Sequence, residues 1–122
     1  MSKVMIQPAT YENVHQAVKR AFELFPLELR GKTVLIKPNV LRASEAGEGI
    51  VTHPAVLAAV VEQVESMRPA AIVVGDNPGL FDYGANEASF EKTGLMGPPR
   101  AIIKTSATIL SRSPSIPSSC PR

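Results

Sequence analysis

Two short apolar runs of the sequence end in residue types that bind ions and transfer protons. The run VLIKPNV ends in Lys37 and Asn39, and the run IVVGDNPG carries Asp76. The lysine ammonium suits an anionic ligand, the amide can both donate and accept, and the carboxylate suits proton transfer or metal binding. A third segment starts with Thr52 and His53, where the N-terminus of a helix would attract an anion. These five residues predict a site for a small anionic ligand or cofactor, with Asp76 and His53 as candidates for catalysis.

The elements around these residues predict that they share one edge of a sheet. Thr33–Ile36 and Ala70–Val74 are short and apolar, as strands buried on both faces are. Between them, a helix is predicted to begin at Pro54, with Thr52 or His53 as its cap, and to end before Pro69. A strand, a helix and a strand within about 45 residues form a right-handed βαβ unit with parallel strands. Ligands bind at the carboxyl ends of such strands.

The remaining elements complete a prediction of the α/β class. An amphipathic helix is expected over Tyr11–Phe25 with Thr10 as its cap, preceded by a short strand at Lys3–Ile6. A further helix is expected over Asn86–Lys92 and would end at Gly94. The predicted architecture is a partial three-layer sandwich with a parallel βαβαβ sheet, as an incomplete domain.

Each candidate residue also has a purely structural explanation. Lys37 could simply be the first solvated residue after a strand, and Thr52 or His53 only a helix cap. Asp76 could close an Asx turn on its own backbone. The sequence contains no phosphate loop, no dinucleotide fingerprint and no nucleophile elbow. Whether the protein is an enzyme is therefore left open.

Composition limits the classes of partner and compartment. The net charge is +2, and all 11 acidic residues lie at or before Glu91, so the basic excess sits in the last residues of the chain. The four basic residues of this last segment are scattered, and such an arrangement binds nucleic acid poorly. Cys120 is the only cysteine, which excludes an iron–sulfur cluster built from this chain and favours a reducing compartment. Without a signal peptide or a long apolar run, a cytoplasmic protein with no membrane contact is expected.

Three ordered motifs resemble those of the prokaryotic family known as domain of unknown function 362. They are K-P-N at Lys37–Asn39, T-H-P at Thr52–Pro54 and G-D-x-P-G at Gly75–Gly79, where Asn77 replaces the usual serine. The resemblance covers residues 1–96. All five residues predicted above to bind the ligand, Lys37, Asn39, Thr52, His53 and Asp76, lie within these motifs. Members often carry cysteine motifs for iron–sulfur clusters, which this chain lacks.

The composition changes abruptly at about Gly97. Residues 97–122 hold five of the 11 prolines, six serines and no acidic residue. Such a segment is expected to be disordered or the product of a shifted reading frame, although residues 101–110 could add one strand. The chain would then be a truncated fragment of a longer α/β protein. The alternative function is a non-catalytic interaction module that pairs its open sheet with a partner chain or a second copy.

Overall fold

A computed structural model describes residues 2–42, 44–76, 86–95 and 102–103, and these form a mixed α/β fold. The predicted class is confirmed, and helices and strands alternate along the chain. The elements are α1 (Val14–Leu24), β1 (Thr33–Ile36), α2 (Pro54–Ser66), β2 (Ala71–Val74), α3 (Asn86–Lys92) and β3 (Ile102–Ile103).

The three strands form one parallel sheet in the order β1-β2-β3. Ile36 of β1 lies opposite Val74 of β2, and Val74 in turn lies opposite Ile103 of β3. One further hydrogen bond continues the ladder beyond the strands, from the Gly75 N–H to the Ile36 carbonyl at 3.1 Å. The carboxyl ends of β1 and β2 therefore meet at one edge, as the βαβ prediction requires.

One hydrophobic core lies between the helices and a single face of the sheet. Ile72 and Val74 supply the sheet side, and Val34 and Ile36 of β1 pack against the same core. Because residues of both α2 and α3 belong to this cluster, the two helices cover the same face. The buried core residues are Val40, Leu57, Val61, Val64, Ile72, Val74, Phe90 and Leu95.

β1 differs from the central strand that its sequence predicts. Its residues alternate between exposed and half-buried, and Leu35 is 62% exposed. Among the described residues, β1 pairs only with β2, so it is an edge strand whose second face is uncovered. The apolar run TVLI misled the prediction because burial on both faces requires a second layer, which the described residues do not provide.

Two predictions for the N-terminal region are wrong. Lys3–Ile6 forms no strand, and Ile6 is 93% exposed, because no strand of the described residues lies beside the segment to pair with it. Thr10 does not cap α1, which starts at Val14 after Asn13. The Thr10 N–H instead donates to the Asn13 side chain at 2.8 Å, so these residues form a turn before the helix.

Other boundaries are close to those predicted. α2 begins at Pro54 with His53 as its cap, and α3 spans the predicted Asn86–Lys92 and is followed by Gly94 with φ of +74°. β3 lies where the sequence allows one more strand after residue 100. Only two residues of the segment 97–122 are described, so the division of the chain at residue 96 stays a prediction. Across the described ranges, no helix is long and apolar enough to span a membrane.

Candidate functional site at the strand ends

A salt bridge joins the polar residues that follow β1 and β2. The Lys37 ammonium lies 2.6 Å from Oδ1 of Asp76. The two side chains differ sharply in environment, because Lys37 is 66% exposed and Asp76 only 4%. The parallel register explains the contact, since each residue stands one or two positions beyond paired strand ends. The sequence-predicted convergence of these two residues is thus seen directly.

The second oxygen of Asp76 binds the backbone beyond Lys37. The Val40 N–H donates to Oδ2 of Asp76 at 2.8 Å, in buried surroundings. Val40 is itself 1% exposed and belongs to the hydrophobic core. A carboxylate that accepts from both an ammonium and an N–H makes charge-assisted hydrogen bonds, which are stronger than neutral ones. Asp76 therefore fixes both Lys37 and the chain that follows it.

Asn39 and Thr52 close the base of the loop between β1 and α2. The Asn39 N–H donates to the Thr52 hydroxyl at 2.8 Å, and the Thr52 N–H donates to the Asn39 carbonyl at 2.9 Å. The Asn39 side-chain amide also donates to the Ile50 carbonyl at 2.9 Å. An antiparallel bridge between Val40 and Val51 adds to this closure. The start of α2 is thereby tied to the end of β1.

His53 is the cap of α2. Its Nδ1 accepts from the Ala55 N–H at 3.2 Å, and its backbone is extended, as is usual for a capping residue. Between the two alternatives that the sequence left open, His53 is thus the cap, whereas Thr52 bonds to Asn39. The Tyr11 ring stacks on the imidazole with centroids 3.7 Å apart and planes 9° from parallel.

Glu12 adds a negative charge near the imidazole. A hydrogen bond from the Thr10 side chain is the main cause that lowers the pKa of the exposed Glu12 carboxyl below its usual value. Its own backbone N–H and the electrostatic interaction with His53 contribute in the same direction, while desolvation opposes them. The turn before α1 thus brings a carboxylate and an aromatic ring to the N-terminal end of α2.

The contacts connect four of the five predicted site residues in two pairs, Lys37 with Asp76 and Asn39 with Thr52. His53 follows Thr52 directly and holds the helix start. Their roles in binding or catalysis stay predictions. Within the described parts of the chain, no three His, Cys, Asp or Glu side chains are grouped to hold a metal ion. Asn77, Pro78, Gly79 and Cys120 lie outside the described residues.

Two contributors to the site were missed from the sequence. Tyr11 was expected inside α1, and no local pattern indicates that an aromatic side chain 42 positions before His53 in the chain would stack on it. The Val40 N–H was missed because the residue type does not show which backbone N–H will donate to a side chain. A signal did exist for this position, since Pro38 and Val40 alternate with polar residues and both are buried.

The comparisons with known proteins identify the family. The family model described as "Domain of unknown function (DUF362)" matches residues 34–105. The match includes all three motifs, starts later than the resemblance seen in the sequence and extends nine residues beyond residue 96. No curated protein and no solved structure matches the chain. Because the matched residues make up more than half of the 122, the chain belongs to the family of domain of unknown function 362.

Proposed function

We propose that the strand-end site binds a small anionic ligand or cofactor through Lys37. The observation that carries the proposal is the pairing of an exposed lysine with a buried carboxylate at the carboxyl edge of a parallel sheet. Ligands of open α/β sheets bind at this edge. A lysine that serves only to solvate a strand end has no need of a buried partner.

The contact with Asp76 holds Lys37 without using all of its donors. An ammonium has three N–H donors, and the salt bridge to Oδ1 occupies one direction. Fixing the ammonium beforehand reduces the ordering cost when a ligand binds. The same carboxylate offsets part of the positive charge, so we expect only modest affinity for an isolated oxyanion.

The start of α2 supplies the second half of the proposed site. Its helix dipole favours negative charge near the first turn, whereas Pro54 has no N–H and the N–H groups of Ala55, Val56 and Leu57 already bond to His53. The bonds between Asn39 and Thr52 place this helix start beside the end of β1. The Thr52 hydroxyl accepts from the Asn39 N–H, which leaves its own O–H for a ligand. We assign Asn39 and Thr52 to orientation.

Asp76 is assigned to positioning in this proposal. Both of its oxygens already accept hydrogen bonds, from Lys37 and from the Val40 N–H. Holding these two groups is the role that the contacts support. Catalysis is not part of the proposal, and His53 and Asp76 stay the candidates if a reaction is found.

Titration with inorganic phosphate tests the proposal. We expect the full chain to bind with a Kd of about 1 mM, equivalent to ~4 kcal/mol. Lys37→Met should weaken binding at least about tenfold, which is ~1.4 kcal/mol. Lys32→Met is the matched control, because Lys32 is an exposed lysine at the opposite end of the same strand. Equal effects of the two substitutions would refute the assignment to Lys37.

A second candidate function is an interaction module that pairs its sheet with another chain. The exposed Leu35 on the edge strand β1 favours it, because such an edge offers unpaired backbone groups and apolar surface. Sedimentation velocity over a range of protein concentrations separates the two candidates. A module of this kind would self-associate as the concentration rises, whereas a ligand-binding domain would stay monomeric and become more stable with phosphate.

A further inference from the structure

His53 is held at two points that constrain different motions of its ring. The hydrogen bond from the Ala55 N–H fixes the position of Nδ1. The stack with Tyr11, at 3.7 Å and 9°, restricts the plane of the ring. A capping bond alone requires only one acceptor atom, and a serine or an asparagine would satisfy it. The aromatic contact is therefore additional to capping.

The capping bond decides which nitrogen can donate. Because Nδ1 accepts, the neutral imidazole carries its proton on Nε2. The described residues provide no hydrogen-bond partner for Nε2, so this N–H is available to an acceptor. An anionic ligand at the start of α2 is such an acceptor.

From these contacts we infer that Tyr11 is a positioning residue that fixes the His53 ring as an Nε2–H donor for the anionic ligand. The inference rests on the proposed function and adds a residue outside the three family motifs. The turn before α1 presents Tyr11, since the Asn13 N–H donates to the Thr10 carbonyl and the Thr10 N–H to the Asn13 side chain. α1 then packs against α2, which keeps the ring over the helix start.

Two substitutions of Tyr11 separate stacking from the loss of its hydroxyl. Tyr11→Phe keeps an aromatic face, whereas Tyr11→Leu removes it at a similar apolar volume. The tautomer of His53 is read from ¹⁵N-detected imidazole spectra of the full chain, with the exposed His15 of α1 as an internal reference. Phosphate affinity is measured on the same samples, at a temperature where thermal melts show every variant folded.

Tyr11→Phe should keep the Nε2–H tautomer and change the phosphate Kd less than about twofold. Tyr11→Leu should give a mixture of tautomers at His53 alone and weaken phosphate binding about three- to tenfold. An unchanged tautomer and an unchanged Kd in Tyr11→Leu would overturn the inference. If the wild-type chain binds no phosphate, the proposed function fails, while the tautomer still decides whether Tyr11 positions the ring.

Discussion

At the scale of single residues, Asp76 connects the parts of the candidate site. Its carboxylate is almost completely buried and accepts from the exposed Lys37 and from the Val40 N–H. A buried carboxylate is costly to desolvate, so its environment must supply compensating hydrogen bonds. The structural explanation that it only ends a turn does not account for the contact with Lys37. Asp76 thus couples the two strand ends.

Substitutions of Asp76 should separate its hydrogen bond from its charge. Asp76→Ala leaves the buried Val40 N–H without this acceptor and should lower the free energy of unfolding by about 2–3 kcal/mol. Asp76→Asn retains an acceptor oxygen and should cost only about 1 kcal/mol, for the weakened contact with Lys37. Urea denaturation measures both. Glu62→Gln, on the exposed face of α2, is the control and should change stability by less than about 0.5 kcal/mol.

The pair also changes what is expected of Lys37. From the sequence alone, Lys37 is expected to be a solvated residue after a strand, so its substitution would be expected to leave the melting temperature unchanged. Because Lys37 pairs with a buried carboxylate, its removal should instead lower stability somewhat. Binding and stability therefore have to be measured separately in Lys37→Met.

Glu12 should titrate below the usual value of 4.5 for its type. The Thr10 side chain hydrogen-bonds the ionised form, so Thr10→Val should raise the pKa of Glu12 towards that value. Since the folded pKa lies below the unfolded one, the stabilisation is present above the unfolded pKa and is lost as the pH falls through the folded pKa. A ¹³C titration of the carboxyl carbon measures the shift. No change in Thr10→Val would contradict the assigned cause.

At the scale of elements, the end of α3 packs against the start of α2. Gly94 follows α3 in a left-handed conformation, with φ of +74°. A Cβ at this position would lie 3.3 Å from Cγ of Pro54, the first residue of α2. The end of α3 therefore packs directly against the start of the helix that His53 caps. The sequence predicted both ends correctly, but the contact between them depends on the tertiary fold.

Gly94→Ala tests this packing against a matched glycine. Gly31 has a similar φ of +70°, but a Cβ there would meet no atom within 4 Å. Gly31→Ala should cost only the left-handed strain of about 1–2 kcal/mol. Gly94→Ala should cost about 1 kcal/mol more, because Pro54 has to move. Chemical denaturation of the two variants compares them, and equal losses would show that the contact with Pro54 has no energetic importance.

At the scale of the whole molecule, the described helices cover one face of the sheet, and the other face carries apolar surface that is exposed among the described residues. Val34 and Ile36 pack against the core, whereas Leu35, between them, is mostly exposed. The alternation is that of a two-layer structure in the described residues. Two layers of the predicted partial three-layer sandwich are thus described, and the open face explains why β1 was wrongly expected to be buried on both faces.

The two faces should respond differently to the same polar change. Leu35→Thr should alter the free energy of unfolding by less than about 1 kcal/mol, because its side chain is already in water. Ile72→Thr, at a residue 6% exposed, should cost about 2 kcal/mol or more through a cavity and a buried hydroxyl. Thermal and urea unfolding provide the comparison. A large loss in Leu35→Thr would mean that a partner or a second copy covers this face.

The sequence predicted local features better than relations between distant segments. Strand and helix positions followed from apolar runs, Pro54 and Gly94, and the convergence of Lys37 and Asp76 followed from parallel strand ends. The missing strand at Lys3–Ile6 and the stack of Tyr11 on His53 could not be predicted in this way. Both depend on which surfaces meet in three dimensions, and single-residue patterns do not encode such neighbours.

The most direct test of the central claim is to map phosphate binding by amide chemical shifts. Spectra of the ¹⁵N-labelled full chain would be recorded during titration with phosphate and, separately, with chloride at the same ionic strength. We predict amide shifts specific to phosphate after β1 (Lys37, Asn39, Val40), at the start of α2 (Thr52, His53, Ala55) and after β2 (Gly75, Asp76). Shifts confined to the basic residues 97–122, or identical shifts with chloride, would contradict a binding site at the strand ends.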